Sequence, residues 1–226
     1  MYIRERLVVL YAKLYSYTGD LALLSGRFWQ VLNILLSAPD PSMYHSGITS
    51  ICHIASSLEG VSALLSRDTI LRVWLSASQS PISERRIGLY VSLAQAGKCG
   101  LEDQAKTLFQ RLPVSPTGRS LLCTELKSPF PEFLEPILDL LSTVCRYPWG
   151  ISSVFGEPEL AEFVLSRSAR HNAEVCRLKL GIVDQANRSG VPLTQLLRAR
   201  IAEYVAAGAF APAMGQMEEM ATENIN

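Results

Sequence analysis

Five glycines set the beat of this 226-residue chain. Gly19, Gly60, Gly100, Gly150 and Gly190 lie 41, 40, 50 and 40 residues apart. A short apolar stretch follows each, as in Val61-Ser62-Ala63-Leu64-Leu65 and Ile151 to Phe155. Proline-bearing breaks keep the same interval. Ala38-Pro39-Asp40-Pro41-Ser42, Ser80-Pro81-Ile82-Ser83 and Ser128-Pro129-Phe130-Pro131-Glu132 each open a helical pattern that ends near the next glycine. A period of about 40 residues built from helices is the signature of armadillo or HEAT arrays. Such units stack into a continuous core and offer an extended surface to partners. The expected fold is all-α, a right-handed armadillo/HEAT-like α-solenoid of about five units of roughly 40 residues. The solenoid is expected over 1–208 with its first unit incomplete, followed by a flexible tail over 209–226.

Within the units the periodicity is helical. Phe130, Leu134, Ile137, Leu141 and Val144 share one helix face. Pro136 would break that helix, so it is expected to start late, with Pro136 at its first position. A helix over 170–188 sets Val175, Leu178, Ile182 and Ala186 inward and Glu174, Arg177 and Lys179 outward. One over 82–97, with Ser83 as N-cap, turns Ile87, Tyr90, Val91 and Ala94 inward. Between a glycine and the next proline break lie a short helix and a longer one, at 61–66 and 69–79 and again at 151–155 and 157–167. Three helices per unit lean toward armadillo over HEAT. The surplus of the unit between Gly100 and Gly150 is assigned to a loop at Leu112-Pro113-Val114-Ser115-Pro116-Thr117-Gly118. Residues 2–17 read as a third helix without the first two, and Leu7, Leu10 and Leu14 would face a missing neighbour. The chain is therefore expected to be the C-terminal portion of a longer solenoid, or the product of a shortened gene model. A dimer covering that end is the alternative to a monomer.

Charge is balanced at 21 basic and 21 acidic residues, which gives no basic stripe for nucleic acid. Residues 161–200 carry seven Lys or Arg against three acids, and 201–226 carry four acids and no base. No apolar run is long enough for a membrane span or a signal-peptide core. Five cysteines (Cys52, Cys99, Cys123, Cys145 and Cys176) form no CxxC pair, and most sit among apolar residues. A reducing compartment is expected, cytoplasmic or also nuclear.

Catalytic signatures are absent: no GxGxxG, GxxxxGK[ST], HExxH or GxSxG occurs. His45, His53 and His171 are scattered, and no spacing suits zinc. His171 and Cys176, five residues apart, point roughly 140° apart around a helix. No enzyme activity, cofactor or metal is expected. Trp29, Trp74 and Trp149 are read as core, with a partner anchor as the alternative.

The segment Pro129-Phe130-Pro131-Glu132, then Pro148-Trp149, Phe155-Gly156-Glu157-Pro158-Glu159-Leu160-Ala161-Glu162-Phe163-Val164 and Arg167-Ser168-Ala169-Arg170-His171, resembles the C-terminal part of the 26S proteasome non-ATPase regulatory subunit 5 family. Arg200-Ile201-Ala202-Glu203-Tyr204-Val205 looks like that family's last helix. The resemblance covers most of 28–212, and the chain departs from it in lacking an N-terminal half. It implies a non-catalytic assembly chaperone of the proteasome regulatory particle that holds the C-terminal domain of an ATPase subunit. The rival is a general scaffold or adaptor with another client. In an armadillo-like stack the third helices line a groove. Their outward polar residues His53, Glu84, Arg85, Arg86, Gln95, Glu174, Arg177 and Lys179 are therefore the candidate partner contacts. Arg85 and Arg86 lead because a guanidinium pairs a carboxylate in a fork.

Overall fold

A computed structural model describes residues 2–112, 121–128, 130–168 and 171–211. Every regular element among them is helical. The chain forms two compact units, Met1–Leu121 and Leu122–Asn226. In the first, α1 (Tyr2–Thr18) precedes two sets of three. One set is a 3-10 turn (Leu21–Leu23), α2 (Gly26–Ser37) and α3 (Pro41–Ile54). The other is α4 (Leu58–Leu65), α5 (Asp68–Ser76) and α6 (Ser83–Cys99), after which α7 (Glu102–Gln110) follows. The second unit holds α8 (Leu121–Glu125), which straddles the division, then α9 (Pro131–Val144), α10 (Pro148–Gly156), α11 (Pro158–Leu165), α12 (Ala173–Arg188) and α13 (Gln195–Ala207). The short, medium, long order within each set is the armadillo pattern the sequence suggested. The loop expected at 112–118 falls outside the described residues from Pro113 onward, as does the tail from Pro212. No helix among the described residues is long and apolar enough to cross a membrane.

Local chemistry starts these helices where the breaks lie. Asp40 Oδ1 accepts from the Ser42 and Met43 amides at 2.8 and 3.2 Å, with Pro41 at the first helical position. Asn172 does the same for α12 through the Val175 amide at 2.9 Å. Two boundaries differ from expectation. α6 begins at Ser83 itself, and Ser83 Oγ donates to Glu84 rather than capping the helix. α9 begins at Pro131 and carries Pro136 inside, while Phe130 stays outside the helix and 55% exposed. The N–H that Pro136 lacks would have met the carbonyl of Glu132, an exposed residue in the first turn of the helix.

In the first unit the long helices α1, α3 and α6 form one layer. Hydrogen bonds tie it together at the repeat interval: Ser46 Oγ donates to Glu5 at 2.6 Å and Tyr44 OH to the Arg85 carbonyl at 3.0 Å, each 41 residues away. Tyr15 OH meets Ser57 Oγ at 2.8 Å across 42 residues. Bonds near both ends fix α1 and α3 as parallel neighbours in matching register. The core behind them includes Leu32, Ile51, Leu71, Trp74 and Leu89, all at most 2% exposed. Trp74 is held by a satisfied chain in which its Nε1 donates to Ser92 Oγ (2.8 Å) and Ser92 Oγ to the Leu89 carbonyl (2.9 Å). α6 buries more than one stripe: Leu89, Tyr90, Leu93 and Ala94 are inside, and Val91, expected inward, is 44% exposed. In the second unit α12 packs between α9 and α13.

The repeat glycines have different physical reasons. A Cβ on Gly60 would lie 1.8 Å from the Ile54 carbonyl oxygen, and one on Gly150 would lie 1.9 Å from that of Val144. At both places a short helix starts with its backbone pressed on the C-terminal turn of the preceding long helix. Gly19 instead takes a left-handed φ of +69°. At Gly190 nothing lies within 4 Å, so its place in the rhythm has no packing cause.

Lys179 overturns an expectation. Assigned to the outer side of its helix, it is buried at 1% exposure. It stands four residues after Val175 and three before Ile182, within the buried stripe of α12. Its Nζ donates to the Ser166 carbonyl and Oγ at 2.6 and 3.3 Å and lies 4.4 Å from the Phe163 ring centre. Ser166 closes α11, so the ammonium meets the negative end of that helix. Burial lowers its pKa to about 8, and Arg167 adds to the lowering. His171, 5.8 Å from the Phe163 ring, is lowered to about 4 by burial and by Lys179.

Two predictions follow from this packing. Gly60→Ala and Gly150→Ala should each lower stability in urea unfolding by about 2–4 kcal/mol, since backbone must move. Gly181→Ala, inside α12 with open space around it, should raise stability by about 0.5–1 kcal/mol. The buried cations give a pH signature. Between pH 8 and 10.5 the unfolded chain binds a proton at Lys179 that the native state has released, so stability should rise with pH there. Lys179→Met should flatten that rise. His171→Asn should likewise flatten the loss of stability as pH falls from 6.5 to 4.

Candidate functional site

The expected partner contacts fall into two groups, one in each unit. His53, Glu84, Arg85, Arg86 and Gln95 lie on α3 and α6, and Glu174, Arg177 and Lys179 lie on α12. By the register of 41 residues, Gln95 stands beside the level of His53 near the C-terminal ends of α3 and α6. Glu84, Arg85 and Arg86 stand at the other end of the same layer.

Their environments separate them. Glu84 is exposed, and its carboxylate is held below the usual range by its own backbone N–H and by Ser83 Oγ at 3.0 Å. His53 is half-buried in the last turn of α3, with its pKa lowered by burial and by Lys13. Gln95 Nε2 donates to Cys99 Sγ at 3.4 Å. Glu174 and Arg177 form an exposed pair at 3.6 Å one turn apart, worth only a few tenths of a kcal/mol.

The two arginines that led the list are engaged within the fold. Arg85 Nη2 donates to the Ala38 carbonyl at the end of α2, and its guanidinium lies 4.7 Å from the Tyr44 ring centre. Arg86 Nη1 donates to the Ser80 carbonyl at 2.6 Å. Both are only partly exposed. Each secures the entry of α6, and neither presents an open fork. Lys179 leaves the surface set altogether, for the packing reason given above.

Between the N-terminal ends of α3 and α6 lies a notch of about 50 Å³ lined by Tyr44, His45, Ile48, Ile82, Glu84 and Arg85. That volume suits the tip of a side chain, well below the 300–1,000 Å³ typical of small-molecule sites. His45 and Ile82 at its rim are exposed, Ile82 by 37%. The sequence reading passed over both. The available signal was register: His45 precedes Arg86 by 41 residues, the interval that pairs Tyr44 with Arg85.

No group of three His, Cys, Asp or Glu among the described residues has metal-site geometry. The Cys145 thiol is pushed up to about 12 by burial and Cys52 to about 11. Cys176 Sγ faces the His171 backbone carbonyl at 4.0 Å. Trp29 and Trp74 are buried, with the Trp29 Nε1 donating to the Leu24 carbonyl at 2.7 Å. Trp149 is part-exposed and stacks on Tyr147 at 6.1 Å between centres.

Designed armadillo repeat proteins are among the solved structures this chain resembles. A designed armadillo repeat protein in complex with the peptide (KR)4 matches with a TM-score of 0.61 at 14% identity, over 77% of this chain and 69% of that one. A second designed armadillo repeat protein matches at 0.60 and 12% identity, over 90% and 91% of the two chains. An engineered protein matches at 0.59 and 14% identity, over 91% and 99%. Similarity at these identities carries the fold alone: an armadillo-like α-solenoid. No curated protein matches the chain significantly by sequence. The family described as proteasome non-ATPase 26S subunit matches residues 26–210, most of the chain, and to that family this protein belongs.

Proposed function

We propose that this protein is a non-catalytic assembly chaperone of the proteasome regulatory particle, of the subunit 5 type, which holds the C-terminal domain of an ATPase subunit. The observation that carries the reading is the family match over 26–210 on an armadillo-like fold. A solenoid exposes the long helices of successive repeats as one extended face, which suits a folded protein client better than a small substrate. The α3–α6 notch is the proposed contact, with Glu84, His45 and Ile82 as its accessible members. A side chain of the client enters the notch, and Glu84 pairs with a basic residue beside it. Arg85 and Arg86 hold the notch in shape. Glu174 and Arg177 form a secondary contact on α12. Release follows when later assembly steps occlude the client's surface. The cytosol and nucleus are the compartments this work requires.

A general adaptor is the competing reading. One designed relative in fold was solved in complex with (KR)4, so a basic peptide is the natural probe for it.

Capture of the isolated C-terminal domains of the regulatory-particle ATPases by the full chain tests the proposal. One or two domains should be retained selectively, and (KR)4 should not compete. Glu84→Lys should weaken capture by about tenfold while leaving the far-UV circular dichroism unchanged. Capture of no ATPase domain by a folded chain would reject the chaperone reading. Undiminished capture by Glu84→Lys would move the site off the notch.

A further inference from the structure

The notch between α3 and α6 has both of its walls inside the repeat stack, since α3 is packed by α1 on one side and by α6 on the other. Pro41, Tyr44, Ile48, Ile82 and Gly88 make its lining largely carbon. Two polar groups of the walls are already engaged: Tyr44 OH donates to the Arg85 carbonyl at 3.0 Å, and Arg85 Nη2 donates to the Ala38 carbonyl. Arg85 Nε has no partner but is sealed beneath the surface. A polar tip entering the notch would lose its water and find these groups occupied, a cost that an apolar tip does not meet. A single water needs about 10–15 Å³ of such space, so about 50 Å³ takes roughly the last four carbons of an aliphatic side chain.

Gly88 keeps the floor open. A β-carbon there would lie 3.3 Å from Ile48 Cγ1 and Cγ2 and 3.6 Å from Tyr44 Cε1, between the two walls. An interior glycine weakens a helix such as α6; at this one the missing side chain leaves space. Charge then selects what stands beside the entering group. Glu84 is exposed at the rim with no ion pair to a described residue. The neighbouring Arg86 donates to the Ser80 carbonyl at 2.6 Å. A basic residue of a partner meets an unpaired carboxylate here, and an acidic one meets a like charge. Resting on the reading of the notch as a client contact, we infer that it is a socket for one aliphatic side chain (Leu, Ile or Met) of a partner protein, in a segment that carries Lys or Arg within two positions of it.

The test pans random peptides displayed on phage against the full chain, after depletion on the double variant Ile82→Ser with Gly88→Ala, so that socket-dependent binders remain. Gly88→Ala fills the floor. Ile82→Ser removes an exposed apolar wall at the N-cap of α6, a position that serine favours, so the helix is retained. Should the double variant lose its helicity by circular dichroism, Ile82→Ser alone takes its place. Enriched peptides should pair Leu, Ile or Met with Lys or Arg within two positions. In fluorescence anisotropy, a labelled peptide of that kind should bind the double variant at least about tenfold more weakly and Ile82→Ser about threefold more weakly. Glu84→Gln should weaken it about threefold and reduce its dependence on salt. No enrichment, enrichment of acidic or purely aromatic sequences, or binding that survives the socket variants would overturn the inference. Socket and chaperone fail separately. An ATPase domain captured equally by the wild-type chain and the socket variants overturns the socket and leaves the chaperone reading standing. Enriched peptides of the expected kind with no ATPase domain captured support the socket and reject the chaperone reading.

Discussion

The close approach of a backbone to a backbone is the constraint on which this fold rests. At Gly60 and Gly150 a new short helix presses its first turn onto the last carbonyl of the long helix before it, leaving no room for a β-carbon. The direction of the chain after each long helix is set there. The first joint shows how much converges on one spot. Ser57 Oγ accepts from the Gly60 amide at 3.1 Å and bonds Tyr15 OH at 2.8 Å, so the entry of α4 is locked to α1, the long helix that precedes the intervening set. A larger residue at Gly60 would push against Ile54 and Tyr15 together and disturb two repeats at once. Repeat arrays draw stability from such nearest-neighbour interfaces as much as from the units themselves.

Arginine closes what glycine opens. Arg85 donates to the carbonyl that ends α2 while lying over Tyr44; Arg167 donates to the Tyr204 and Gly208 carbonyls at 3.0 and 2.7 Å while lying 4.0 Å from the Tyr204 ring centre. Each guanidinium donates to backbone carbonyls at a helix end and lies over an aromatic face, which its planar fork suits. The Arg-Ser…His step that carries much of the family resemblance has its explanation here. Arg167 caps α13 and His171 packs on Phe163, while Ser166, just before the motif, receives Lys179.

The architecture was legible because its signals are local. Proline and Asp or Asn mark helix starts, glycine marks joints, and the interval between them counts repeats. The site was less legible, because helical periodicity reports which face is apolar and is silent on where a long polar side chain ends up. Lys179 sits in a core position with its ammonium against a helix terminus, an outcome that depends on Ser166 thirteen residues earlier. Arg85 reaches a carbonyl 47 residues away. In both cases a charge that reads as surface in one dimension is satisfied by a backbone group brought near only by the fold. The exposed face of Leu7, Leu10 and Leu14 on α1 was visible in advance because its residues lie on one helix, where spacing alone fixes the face.

The division of labour among charged residues bears on what such a protein can recognise. Charges that hold the repeats together are engaged with backbone, stacked on rings or buried, which fixes the shape of the layer and removes them from recognition. Among those left in water are Glu84 at the notch and the Glu174–Arg177 pair on α12. Specificity between partners is a difference in affinity, and isolated charges beside apolar sockets generate it through the cost of a mismatched neighbour more than through attraction. At the notch Arg85 is engaged with the Ala38 carbonyl, so the exposed carboxylate of Glu84 is the charge that an acidic neighbour would meet at a cost.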